Sequence, residues 1–279
     1  MGSVPIYSIY FDDRILEPLV RKRVADQPDN RLVKQLSRCI CCISLQDEPE
    51  VCQASQDRLT FVPTVEELCQ VAVPHLKSAE NAIVSFGQGC EGDPIIQADR
   101  IAESVKEMRL QTSRGTINFN SNASIPAAID KLAEEAGIDS IRISLNSVQE
   151  RFYNAYYRQV KYHFDDVIES ARRAKQHGLF TMLNYLVFPG ITDREDEIEK
   201  LLQFIDSVGI DMIQMRNLSI DPLLYWKSMG AEGSGIGMKK MLDRVKKEVP
   251  RIQYGYFNRT RDNFYPSGYE TDWPLPDTL

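Results

Sequence analysis

The chain lacks the features that would place it outside the cell, in a membrane or on nucleic acid. Its 279 residues include six Cys, too few for a disulfide-stapled scaffold of this size, and no charged segment followed by an apolar one opens it. No uninterrupted apolar run reaches the roughly 18 residues that span a bilayer. A soluble, reducing, cytoplasmic setting without a membrane partner is the expectation. Basic blocks are missing as well: 33 Lys and Arg stand against 40 Asp and Glu, for a net charge of −7. General nucleic-acid binding is not expected, because backbone affinity comes from Lys and Arg displacing counterions. Histidine is scarce, with three in all. His75 and His177 fall near helix C-termini, where the dipole favours them, and His163 at a helix start, so none stands out as a general base. Nor does a strand carry a lysine suited to a Schiff base: Lys77, Lys161 and Lys175 fall on helices or their ends.

What is present is an apolar content of 43%, enough for a core, arranged in a repeat. From residue 64 onward, short β-branched apolar runs alternate with stretches of helical spacing, the pattern of βα units. Strands are predicted at 82–86, 116–119, 140–145, 181–188 and 212–215, with a strand-like 252–257. Helices are predicted at 65–76, 96–110, from Ser124-Ile125-Pro126 to Gly137, at 149–157, 165–176, 195–208 and 237–249. Thr64 and Glu67 form a capping box; Gly137, Gly178 and Gly209 close their helices. The roughly 30-residue spacing of the strands is that of a βαβ unit and implies a parallel sheet or barrel in one domain. Residues 1–34 read as an irregular N-terminal segment and 258–279 as an irregular tail, leaving 35–257 as the barrel.

In such architectures ligands bind at the carboxyl ends of the strands, and here those ends are polar and glycine-rich. They carry Gly87-Gln88-Gly89-Cys90-Glu91-Gly92-Asp93-Pro94, then Asn120-Ser121-Asn122-Ala123-Ser124, then Asn146-Ser147, then Pro189-Gly190-Ile191-Thr192-Asp193, and finally Arg216-Asn217 with Asp221. Singly, the glycines serve turns, and Asn122 and Ser124 cap a helix. Five such loops at corresponding positions describe an edge that holds a polar, extended small molecule such as a nucleotide. Four cysteines also crowd fourteen positions: Cys39, Cys41, Cys42 and Cys52. They are either packed thiols or a zinc site that no second Cys-x-x-Cys or His pair completes.

In order and spacing these loops resemble the radical S-adenosylmethionine (SAM) enzymes over roughly residues 35–257. Gly92-Asp93-Pro94-Ile95-Ile96 is similar to that family's Gly-Gly-Glu loop, with Asp93 in place of Glu and Glu91 as a possible stand-in. Asn120 to Ser124 is similar to its Thr-Asn-Gly-Ser stretch after the third strand. Ile141 to Ser147 resembles the fourth strand, with Tyr156-Tyr157-Arg158 following it, and Val187 to Asp193 the Pro-Gly-x-x-Asp end of the fifth. The resemblance implies an open, partial TIM-type (β/α)6 barrel. It also implies a four-iron, four-sulfur (4Fe-4S) cluster that reductively cleaves SAM to a 5′-deoxyadenosyl radical acting on a small-molecule or peptide substrate. An electron donor such as a ferredoxin or flavodoxin follows from that chemistry. By the same resemblance, Cys39, Cys41 and Cys42 bind iron. Glu91 and Asp93, with Gly89, Gly92 and Asn122, hold the methionine end of SAM, and Ser144, Asn146 and Arg158 its ribose and carboxylate. Gln214, Arg216 and Asn217 face substrate, or Arg216 closes the barrel by an ion pair. The family's Cys-x-x-x-Cys-x-x-Cys loop is incomplete: in the best register Gln35 precedes Cys39 and Cys42. The competing expectation is therefore a barrel of this ancestry without a cluster, serving as a small-molecule binding or scaffolding protein.

Overall fold

The computed structural model describes residues 8–10, 36–37, 39–40, 62–87, 93–217, 221–231, 233–255 and 258–265. Among the described residues seven strands form one sheet in chain order, and every neighbouring pair is parallel. They are β1 (Ser8–Tyr10), β2 (Ile83–Phe86), β3 (Thr116–Ser121), β4 (Ser140–Leu145), β5 (Phe180–Val187), β6 (Met212–Asn217) and β7 (Gln253–Gly255). Among the described residues β7 and β1 do not pair, so the sheet is open. The helices are α1 (Val65–Ser78), α2 (Ala98–Gln111), α3 (Pro126–Asp130, continued by a π-turn to Ala136), α4 (Glu150–Tyr157), α5 (Phe164–Gln176), α6 (Glu195–Val208), α7 (Pro222–Met229) and α8 (Met238–Glu248). This is the open βα barrel expected from the sequence, six of its strands coming after residue 82.

Two elements differ from expectation. β1 arises within residues 1–34, where no periodicity was visible, because a three-residue edge strand is too short to show one; Ser8-Ile9-Tyr10 pairs with Ile83-Val84-Ser85. α7 falls where no helix is predicted. Its start is nonetheless encoded in Asp221-Pro222: Asp221 Oδ1 accepts from Leu223 N at 2.7 Å and Leu224 N at 3.3 Å, and proline occupies the first turn, where its missing N–H costs nothing.

Strand residues alternate between two environments. The outward set, including Ile117, Phe119, Ile141, Ile143, Leu183 and Ile213, is fully buried against the apolar stripes of the helices, such as Ala72 and Leu76 of α1, Val105 and Met108 of α2, and Leu201 and Ile205 of α6. At about 1.5–3 kcal/mol for each large side chain removed from water, this layer is the main stabilising term. The inward set is polar. Asn118 Nδ2 donates to Ser85 Oγ (2.7 Å) and Asn120 Oδ1 (2.9 Å), and Ser140 Oγ donates to Asn118 Oδ1 (2.8 Å).

The amino-terminal end of the barrel is closed by apolar residues and by the segment 258–265. Phe180, Met182, Met212 and Phe264 form a separate cluster, with the Phe180 and Phe264 rings stacked at 4.3 Å. Asn258 spans the gap between distant strands, donating from Nδ2 to Ser85 Oγ on β2 at 3.1 Å and accepting from Gln214 Nε2 on β6 at 3.2 Å. Part of the expected tail thus stoppers the barrel.

Candidate active site at the carboxyl ends of the strands

β2 ends at Gly87, whose φ of +77° and close backbone approach both require glycine: a Cβ there would stand 2.3 Å from Asn120 O. Gly87 is thereby pressed onto the end of β3. The loop returns at Asp93, which stitches the two strand ends together. Its Oδ1 accepts from Ser121 Oγ (2.6 Å) and Ile95 N (3.1 Å), and its Oδ2 from Asn122 N (2.7 Å). Burial pushes this carboxyl above its ordinary range, against the pull of the three donors. Among the described residues Oδ1 accepts two hydrogen bonds and Oδ2 one.

From Asp93 the polar network passes outward. Asn122 Oδ1 accepts from Ser124 N (3.1 Å) in a local turn, and Asn122 Nδ2 donates to Tyr162 OH (3.3 Å). Tyr162 OH lies 3.0 Å from Tyr153 OH and also bonds to Ser37; burial pushes this phenol up to about 12. Two residues from Ser37 is Cys39, a half-buried thiol whose Sγ lies 3.8 Å from Ser37 Oγ. The segment carrying it is strapped to α4 and the loop after it: Ile40 N donates to Tyr156 O (3.0 Å), Val160 N to Leu36 O (2.9 Å), and Ser37 bridges Gln159. Residues 36, 37, 39 and 40 are therefore tied to the same polar network as Asp93 and Asn122.

The remaining expected ligands are distributed as follows. Ser144, half-buried on the inward face of β4, accepts from Asn184 Nδ2 at 3.4 Å. Asn146 turns its amide nitrogen into the packing of α4 and α7, donating to Phe152 O (3.0 Å) and Tyr225 OH (3.4 Å). Its Oδ1 is buried with no hydrogen-bond partner among the described residues, as is Ser124 Oγ. Arg158 ends α4 in the left-handed conformation, φ +47°, and is exposed. Arg216 and Asn217, read from the sequence as a loop, belong to β6; Arg216 is exposed at the rim and forms no ion pair among the described residues. Gly89, Glu91, Gly92, Cys41 and Cys42 lie outside the described residues. Cys69 is elsewhere, buried in α1 with Sγ 3.7 Å from Ser104 O. Among the described residues no group of three or more His, Cys, Asp or Glu is placed to hold a metal, and no helix is long and apolar enough to cross a membrane.

One buried acid escaped the sequence reading. Glu197, in the first turn of α6, accepts from Ser147 Oγ (2.7 Å), Val148 N (2.9 Å), Gln149 Nε2 (3.0 Å) and Tyr185 OH. It fixes the loop after β4 against β5. Lying in the acidic run Glu195-Asp196-Glu197, it looked like an ordinary N-terminal charge; only its i+4 spacing from Asp193 on the motif loop hinted otherwise.

A family model for the Radical SAM superfamily matches residues 38–205, more than half of the chain. No curated protein matches it. Among solved structures, the FeFe-hydrogenase maturase HydG from Carboxydothermus hydrogenoformans superposes with a TM-score of 0.54 at 15% identity, over 90% of this chain and 60% of that one. A second [FeFe]-hydrogenase maturase HydG gives 0.52 at 18%, over 76% and 48%. A radical SAM methyltransferase from Sphaerobacter thermophilus gives 0.48 at 15%, over 71% and 62%. The chain thus spans between about half and three fifths of the length of these relatives. The two maturases share its fold, and on the extent of the family match the chain belongs to the radical SAM superfamily.

Proposed function

We propose that the chain is a radical SAM enzyme that binds a 4Fe-4S cluster and S-adenosylmethionine at the carboxyl ends of its strands. The observation that carries this reading is the hydrogen-bonded path from Asp93 through Asn122 and Tyr162 to Ser37, two residues from Cys39. It brings one candidate thiol to the loops that resemble the family's SAM site. The donor set suits both groups: Cys39, Cys41 and Cys42 offer three soft, anionic ligands, and the buried Ser124 Oγ and Asn146 Oδ1 are polar atoms that a ligand at this edge would satisfy.

When bound, the cluster and SAM supply a one-electron reductive cleavage that yields a 5′-deoxyadenosyl radical, fed by a donor such as a ferredoxin or flavodoxin. The chain's own residues bind, orient and exclude water. Asp93 Oδ2 and Glu91 would accept from the amino group of SAM beside the backbone of Gly89, Gly92 and Asn122, while Ser144, Asn146 and Arg158 would meet its ribose and carboxylate. Tyr153, Tyr156 and Tyr157, with ring centroids at 4.4 and 4.8 Å, form an aromatic group on α4, the helix whose Tyr156 O accepts from Ile40 N of the Cys39 segment.

The test is anaerobic reconstitution with iron and sulfide. The expected result is about four irons per chain with a cluster absorption band, both lost in Cys39→Ala/Cys42→Ala. No uptake, or equal uptake by the double variant, would favour a barrel that binds small molecules without a cluster.

A further inference from the structure

Three hydroxyl groups lie in line from Cys39 into the protein: Ser37 Oγ, Tyr162 OH and Tyr153 OH. Ser37 Oγ is 3.8 Å from Cys39 Sγ, within reach of a hydrogen bond to sulfur, and bonds to Tyr162 OH, which lies 3.0 Å from Tyr153 OH. Tyr153 and Tyr162 are 0 and 6% exposed, so the cost of an unmet buried donor decides which way these bonds run. Asn122 Oδ1 accepts from Ser124 N, so Nδ2 is the atom that donates to Tyr162 OH, at 3.3 Å. Among the described residues the hydrogen-bond partner of Tyr153 OH is Tyr162 OH, and the Tyr153 proton goes there. A hydroxyl accepts two hydrogen bonds and donates one. With Asn122 and Tyr153 filling both acceptor positions of Tyr162, its own proton goes to Ser37 Oγ. Ser37 has one proton left, and Cys39 Sγ is beside it. A thiol at Cys39 would compete by donating to Ser37; a thiolate, the form that ligates iron, has no proton and can only accept.

We propose that Ser37 and Tyr162 are positioning residues that aim a hydroxyl proton at the sulfur of Cys39 and thereby make the cluster it ligates easier to reduce. The proposal rests on the cofactor reading for the cluster; the aim of the proton follows from the burial of the two phenols. A reduced cluster carries one more electron, so a donor aimed at a ligating sulfur stabilises it more than the oxidised cluster and raises the reduction potential. Burial first, and negative charge on Cys39 as a smaller cause, push both phenols up, so they keep their protons and remain donors. The same network reaches the other half of the site, because Asn122 N donates to Asp93 Oδ2 at 2.7 Å. One hydrogen-bonded chain thus joins the carboxylate proposed for the amino group of SAM to the sulfur proposed for iron.

The test has two arms, both on the full chain. Without cluster, urea unfolding of Ser37→Ala, Tyr162→Phe and the double variant should give effects that do not add, because the two side chains share one bond. After reconstitution with iron and sulfide, a redox titration followed by EPR should place the cluster midpoint at a more negative potential in Ser37→Ala and in Tyr162→Phe than in the wild type. Ser37→Thr, which keeps the hydroxyl, should hold the wild-type value. Tyr265→Phe, which removes an exposed hydroxyl at the amino-terminal end, should leave it unchanged. Ser37 is half-buried, so its variant reads out even if Tyr162→Phe does not fold. Additive effects in the cluster-free chain overturn the proposal, as do an unmoved midpoint in Ser37→Ala and an equal shift in Ser37→Thr or Tyr265→Phe. If the wild type takes up no iron, the cofactor reading falls and this proposal with it, whereas iron uptake with unmoved midpoints overturns this proposal alone.

Discussion

Asp193 joins two loops with one carboxylate: Gly190 N donates to its Oδ1 at 2.5 Å and Gly237 N to its Oδ2 at 2.9 Å. Gly235 passes so close that a Cβ would stand 2.2 Å from the carboxylate. Gly235→Ala should therefore lower stability by about 1–3 kcal/mol, read from the urea midpoint. Glu197 makes a pH prediction. Burial outweighs its four donors and lifts its carboxyl above the ordinary 4.5, so the folded chain holds this proton more tightly than the unfolded chain. Its contribution is most favourable below pH 4.5, falls as pH rises from there through the raised folded value, and is constant above it. Glu197→Gln removes that slope, so the variant should gain on the wild type as pH rises from 4.5 through the raised folded value; a stability difference independent of pH would contradict it. At this scale the sequence was only partly legible. The Pro-Gly-x-x-Asp run marked Asp193 through its resemblance to the family's fifth-strand end. The burial of Glu197 was invisible, since it depends on Ser147 and Gln149 from the loop after β4 and on Tyr185 of β5.

The elements were the most legible level, because each βα unit writes its own periodicity. Thr64 and Glu67 were predicted as a capping box, and the structure contains it: Glu67 N donates to Thr64 Oγ1 at 3.2 Å and Thr64 N to Glu67 Oε2 at 2.8 Å. Thr64→Ala should cost about 1 kcal/mol, measured by thermal or urea unfolding, with SAM binding unaffected. The stopper segment is the contrasting case. Nothing in Asn258 to Phe264 repeats, so it read as tail, yet Gln253 Nε2 donates to Phe264 O at 2.7 Å and the Phe264 ring is buried on Phe180. Phe264→Ala should cost about 3 kcal/mol or more. A loss within experimental error would show that the segment does not close the barrel.

Across the whole molecule, the open sheet divides its labour by face and by end. The outward face supplies the apolar core, the amino-terminal end is stoppered, and the carboxyl end gathers Asp93, Asn122, Tyr162 and the Cys39 segment. The βα repeat made the barrel and its ligand edge legible, since parallel strands send their carboxyl ends to one side. The polar inward face was not, because Asn118 or Arg142 in a strand looks the same whether it faces the lumen or solvent. The thiol count was visible, but Gln35 broke the familiar spacing, and spacing alone does not say where Cys39 lies. The measurement that bears most directly on the account is SAM turnover by the reconstituted chain under dithionite, with the nucleoside product resolved by chromatography. The account predicts 5′-deoxyadenosine and methionine from the wild type and neither from Cys39→Ala/Cys42→Ala; no 5′-deoxyadenosine from a chain loaded with iron would contradict it.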